Sequence, residues 1–258
     1  MLSCYGGEAK TPNIDWLANN GVLFEKADST APLTMPSCVS LFTGEYPDIY
    51  RQGIIPVMMS MPNYFVPDEK LLMEEKLKDI GYELRKSIEN PAVEMFNCLR
   101  GFKKLNNSKL KYLLKNRAKK IEKITGIKNK SKAYKNTYEV LNYLIYDTGN
   151  RLFFILNWIQ DPHAPYKAPE DFMNQIIVDQ NRLTREPPYY SNFIFIAKAT
   201  VGKWNDYEQK YLKDLYIKEV ESVDERVGCI IKALKHKNLL KNTYVIFTAD
   251  HGEEFWRS

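Results

Sequence analysis

The sequence predicts an α/β domain with a mainly parallel central sheet, on three observations. Arg151–Ile159 (RLFFILNWI) and Thr243–Ala249 (TYVIFTA) are short, nearly uninterrupted apolar runs, the pattern of strands buried on both faces. Asp206–Leu240 keeps roughly helical spacing through Tyr211, Leu215, Val220, Val223, Val227, Ile230, Ile231 and Leu234, the stripe of an amphipathic helix. Buried strands separated by long helices indicate an α/β sheet.

Earlier elements are set by local signals. Thr11-Pro12-Asn13-Ile14-Asp15 reads as a helix start, with Thr as N-cap, Pro at the first helical position and an acid in the first turn. Asn20-Gly21 ends that helix. Val22-Leu23-Phe24 reads as a short strand, Pro32–Pro36 as a loop, and Ser37–Thr43 as a second short helix stopped by Gly44 and Pro47. Residues 48–67 are broken up by prolines, Asp48 and Gly53 and read as irregular, whereas Asp68–Ile80 reads as an amphipathic helix closed by Gly81. The stretch 108–146 gives two helical segments parted at Gly126, and a polar loop covers Asp161–Pro169. No internal repeat or Pro/Gly/Ser-rich linker divides the 258 residues, so a single domain is expected.

Composition narrows the classes. With 44 % hydrophobic and 27 % charged residues, the chain is ordinary globular material, and no window is apolar for the length of a membrane span. No signal peptide is visible at MLSCYGGEAK, and the sequence assigns no compartment. Cys4, Cys38, Cys98 and Cys229 are widely spaced without a CxxC pair, so free thiols are expected rather than a zinc knuckle or disulfide framework. The net charge of +5 conceals a basic segment, residues 103–135, with 13 Lys or Arg and a single acid, Glu122. Such a run could attract phosphate-rich partners, but its first reading is the solvated face of a helix, and no nucleic-acid partner is predicted.

Chemistry is expected where the strands end, because ligands of open α/β sheets bind beyond the strands' carboxyl ends. Both apolar runs end in polar clusters, Asp161-Pro162-His163 and Asp250-His251-Gly252-Glu253. An adjacent Asp and His offer one oxygen and one nitrogen ligand to a divalent metal, and Gly252 lets the backbone turn sharply enough for both to point at one place. With only three histidines, any metal site must lean on carboxylates. Thr34 precedes the second helix, where a hydroxyl faces free backbone N–H groups and the positive end of the helix dipole; alternatively it simply caps the helix.

Four blocks together resemble the sulfatase family of the alkaline phosphatase superfamily. Ala31–Pro47 (APLTMPSCVSLFTGEYP) is similar to the family's nucleophile segment, and Thr11–Phe24 (TPNIDWLANNGVLF) to the block just upstream. Trp158–Pro169 (WIQDPHAPYKAP) resembles its D-P-H-x-P-Y loop, and Asn242–Phe255 (NTYVIFTADHGEEF) its strand ending in a metal-binding D-H-G-E or D-N-G. The resemblance implies a three-layer, alkaline phosphatase-like sandwich over 1–258 and a metal-dependent hydrolase or transferase of phosphate or sulfate esters. Thr34 falls on the nucleophile position and on a metal ligand, Asp250 and His251 on metal ligands, and His163 on a histidine near the substrate oxygens or leaving group. The ion would be divalent: Ca, Mn, Mg or Zn. Thr34 cannot become formylglycine, so none is expected, and phosphoesters, phosphodiesters included, are favoured over sulfate esters. Cys38 lies four residues past the nucleophile position.

The opening Met1-Leu2-Ser3-Cys4-Tyr5-Gly6 enters the family's D-H-L-S-C-Y-G-type segment midway. The family's first strand, its metal-binding Asp and its closing strands are thus expected to lie outside this partial, truncated catalytic domain, leaving it inactive by itself. The other expectation is a catalytically silent family member whose basic segment binds a polyanion or membrane surface.

Overall fold

In a computed structural model of the chain, residues 1–54, 62–105, 110–128, 134–183 and 205–253 are described. The helices are α1 (Pro12–Asn19), α2 (Thr34–Thr43), α3 (Met73–Asp79), α4 (Leu110–Thr125), α5 (Lys135–Asn142), α6 (Glu170–Met173) and α7 (Asp206–His236). The strands are β1 (Arg51–Ile54), β2 (Pro62–Tyr64), β3 (Glu83–Ile88), β4 (Lys103–Lys104) and β5 (Phe153–Trp158). β1 and β2 pair antiparallel, so a hairpin forms within the stretch expected to be irregular; residues 55–61 between them lie outside the described residues.

β3 is the centre of a parallel sheet of order β4-β3-β5, with Glu83 opposite Phe153 and Ile88 opposite Trp158. Side chains alternate across a strand, and β5 serves two layers. Phe154, Leu156 and Trp158 pack on the cluster that holds Val39 and Phe42 of α2 and Leu72 beside α3. Phe153 and Ile155 pack on the cluster made by α4, α5 and α7. Helices therefore cover both faces of the sheet, which is the expected α/β sandwich.

β3 carries no apolar run and gave no strand signal in the sequence. One of its faces presents Glu83, Arg85 and Ser87 to the helical layer, with Arg85 also paired to Glu83 along the strand. The Tyr143 hydroxyl donates to Glu83 at 2.7 Å, Ser87 donates to Glu139 at 3.1 Å, and the Arg85 guanidinium lies over the Tyr143 ring at 5.6 Å.

Two expected strands are not strands. Val22–Phe24 and Thr243–Ala249 pair with nothing among the described residues. Val22 is 80 % exposed, Tyr244 97 % and Ile246 83 %, while Val245 tucks against the α5/α7 cluster. An apolar run becomes a sheet strand only when a neighbour takes its backbone hydrogen bonds, and here none does. The expected helix over Asp68–Ile80 is shorter, because the chain at Leu72 is extended and the Glu75 carboxylate accepts the Leu72 N–H at 2.9 Å.

α7 joins the parts, packing against α1, α4, α5 and α6. The expected Thr11 cap of α1 is replaced by Asp224 of α7, whose carboxylate accepts the N–H groups of Asn13 (3.0 Å) and Ile14 (2.8 Å). Thr11 Oγ1 instead faces Ser3. A buried carboxylate suits the positive end of a helix. Gly228 permits the approach, since a Cβ there would run into the Asn13 side chain. α4 and α5 fall in the stretch 108–146 on either side of Gly126. All four cysteines are free, and no described helix is long and apolar enough to cross a membrane.

Candidate active site

Thr34 is the first residue of α2, not a residue ahead of it. Leu33, extended at φ −143°, is the N-cap, and no side chain caps the helix. The loop before it is tied down by Ser37 Oγ, which donates to Ala31 O at 2.8 Å. At the other end Gly44, at φ +72°, takes the left-handed conformation and donates its N–H to Ser40 O, a C-cap that glycine accepts without strain. The Thr34 hydroxyl is thus not spent on capping. Its Oγ1 lies 3.2 Å from His251 Nε2.

His251 is held in one tautomer. Its Nδ1–H donates to Gly252 O at 2.7 Å, which leaves the Nε2 lone pair facing the Thr34 hydroxyl. Asp250 Oδ2 lies 3.6 Å from the same Nε2. A threonine hydroxyl, an imidazole nitrogen and a carboxylate therefore converge where residues 243–249 meet the amino end of α2. Cys38 lies one turn along α2, fully buried, and its thiol is pushed far up by burial and then by the Asp250 carboxylate. It remains protonated and is no nucleophile.

His163 is exposed on the loop after β5. Its backbone N–H donates to Gln160 O at 3.0 Å and its Nδ1–H to Ala164 O at 2.6 Å, so its Nε2 also points away from the backbone. Among the described residues no hydrogen bond joins His163 to Thr34, Asp250 or His251. Glu253 links the two clusters. Burial raises its carboxyl, and His163 and His251 are both close enough to pull it back down. The sequence placed Glu253 in the D-H-G-E block without giving it a part. Its signal was the spacing of two residues from His251.

The donors available to a cation are the Asp250 carboxylate, His251 Nε2 and Thr34 Oγ1. Among the described residues no group of three His, Cys, Asp or Glu could hold a metal. The trio is nevertheless a mixed oxygen–nitrogen set of the kind divalent ions accept. His251, with its second nitrogen fixed by a backbone carbonyl, has the outer support seen on metal-bound histidines.

The Sulfatase family model matches residues 1–257. Mouse iduronate 2-sulfatase is 23 % identical over 97 % of this chain and 52 % of its own length. The endo-4-O-sulfatase of Bacteroides thetaiotaomicron is 27 % identical over 96 % of this chain and 53 % of its own. The chain thus spans about half the length of these relatives. Among solved structures, the phosphonate monoester hydrolase of Agrobacterium radiobacter superposes with a TM-score of 0.65 at 19 % identity, over 98 % of this chain and 60 % of that one; at that identity the likeness speaks for the fold. With the family's pattern running from the first residue almost to the last, this chain belongs to the sulfatase family.

Proposed function

We propose that this chain carries the nucleophile and metal-binding part of a hydrolase or transferase of sulfate or phosphate esters, with Thr34 forming a covalent intermediate. The observation that supports this most is the 3.2 Å approach of Thr34 Oγ1 to His251 Nε2, at the amino end of a helix whose first N–H groups can receive an anion. Asp250, His251 and Thr34 are the residues that would hold a divalent cation. When bound, the ion supplies positive charge that stabilises a Thr34 alkoxide and the anionic ester.

Thr34 gives up its hydroxyl proton to solvent water, and Oγ1 bonds the sulfur or phosphorus atom as the bond to the ester oxygen breaks. His163 is the general acid of the reading, its Nε2 delivering a proton to the leaving alcohol. Water or an acceptor alcohol then displaces Thr34 and restores its hydroxyl. Oxidation of threonine, a secondary alcohol, yields a ketone, so the formylglycine aldehyde is closed to it; this favours phosphoesters within the class.

Turnover of p-nitrophenyl phosphate, bis-p-nitrophenyl phosphate and p-nitrophenyl sulfate with added divalent metal tests the reading and separates the esters. Thr34→Ala should lose on the order of a thousandfold or more, and Thr34→Ser should stay within about tenfold of the wild type. Thr34→Ala activity within about tenfold of wild type would remove the covalent step.

A further inference from the structure

We propose that Arg226 is a positioning residue for His163, acting through the loop after β5. The catalytic consequence rests on the part given to His163 above; the structural claim does not.

Arg226 is one of the largest fully buried side chains, 0 % exposed, on a face of α7 that also carries the buried Glu219 and Ser222. A buried guanidinium needs partners, and its partners are the carboxylates just beyond two neighbouring strands. Arg226 Nη2 donates to Glu89 Oε1 at 3.1 Å, just past β3, and Nη1 lies 3.5 Å from Asp161 Oδ2, past β5. The Tyr134 ring covers the guanidinium, its centroid 5.0 Å from the central carbon.

A continuous chain of bonds leads from there to His163. The second oxygen of Glu89 accepts the Gln160 N–H at 2.8 Å, and Gln160 O accepts the His163 N–H at 3.0 Å. Seven residues earlier, and so on the same face of α7, the fully buried Glu219 accepts the backbone N–H of Lys167. The loop is therefore held by α7 on both sides of His163. Burial first, with Asp161 second, pushes the Glu219 carboxyl up to about 9, and burial also raises the Glu89 and Asp161 carboxyls against the pull of Arg226.

α7 has anchors of its own besides this arrangement, its apolar stripe and the Asp224 contact. What the ion pairs fix is the relation between two strand ends and the turn that aims an imidazole. Arginine's planar fork can serve both carboxylates; lysine, a point charge, cannot hold both in one geometry.

Hydrogen–deuterium exchange on the full chain, read over the amides of residues 160–167, tests the claim without any need for turnover. Arg226→Lys and Arg226→Met should lower protection of those amides about tenfold or more, while amides of β3 and α7 stay as in the wild type. If the Arg226 variants do not fold, Glu89→Gln removes one charge isosterically and should loosen the same amides. Unchanged loop protection in a folded variant, or a loss shared equally by β3 and α7, would overturn the proposal. Where the wild type turns over an ester, Arg226→Lys should lower kcat more than it raises KM. That loss should be larger for phenyl than for p-nitrophenyl esters, because the poorer leaving group depends more on a delivered proton; an equal loss for both would overturn the link to His163. A wild type that cleaves no ester removes the functional reading and leaves the exchange result to decide this one.

Discussion

Replacing Glu74 with methionine should stabilise the protein at pH 8 by about 3 kcal/mol and change little at pH 4.5. Glu74 sits on α3 with no solvent exposure, and neither carboxyl oxygen has a hydrogen-bond partner. Its nearest cation is already engaged: Arg100 donates to both oxygens of Glu75, at 3.1 and 3.0 Å. Burial consequently raises the Glu74 carboxyl from 4.5 to about 7, and the neighbouring Cys98 thiol is pushed up to about 12 by burial and then by Glu74. A carboxyl whose folded pKa lies above its unfolded value keeps its proton longer in the native state. Stability is therefore lost as pH rises from about 4.5 through 7, and the full penalty is present above that window. At roughly 1.4 kcal/mol per pKa unit the shift amounts to about 3 kcal/mol. Methionine matches the side chain in length and flexibility and carries no charge. Urea unfolding of both proteins at half-unit pH steps from 4.5 to 8.5 measures the difference. A difference that does not vary with pH, or a variant less stable than wild type at pH 8, would refute the reasoning.

Asp250→Asn and His251→Ala should each reduce divalent metal retained after dialysis, as measured by elemental analysis, because both are read as ligands. His163→Ala should retain metal and lose turnover; equal metal loss in all three would place His163 among the ligands. Asp224→Ala should lower stability by about 2 kcal/mol, since it removes the cap of α1 and leaves the Asn13 and Ile14 N–H groups unpaired. A shift in urea midpoint worth less than about 0.5 kcal/mol would mean that α1 finds another acceptor.

Elements whose stability is local or that are apolar throughout were legible in the sequence. The periodicity of α7, the continuous run of β5 and the Gly126 break between α4 and α5 each declare themselves within a few residues. The candidate site was read from motifs as well, since Thr34, His163, Asp250 and His251 stand in the blocks that resemble the family, and the fold brings Thr34 and His251 to 3.2 Å. Tertiary structure decided the rest. β3 is central yet reads as polar, since Glu83 and Ser87 find hydrogen-bond partners on α5 and the turn after it. Residues 243–249 read as a buried strand yet lie unpaired among the described residues, since a strand's identity belongs to its neighbour as much as to itself. The N-cap of α1 comes from Asp224, more than two hundred residues along the chain. The same holds for Arg226: nothing near it in sequence foretells Glu89 or Asp161, and only the packing of α7 across two strand ends brings a buried cation to the carboxylates that hold the loop of His163.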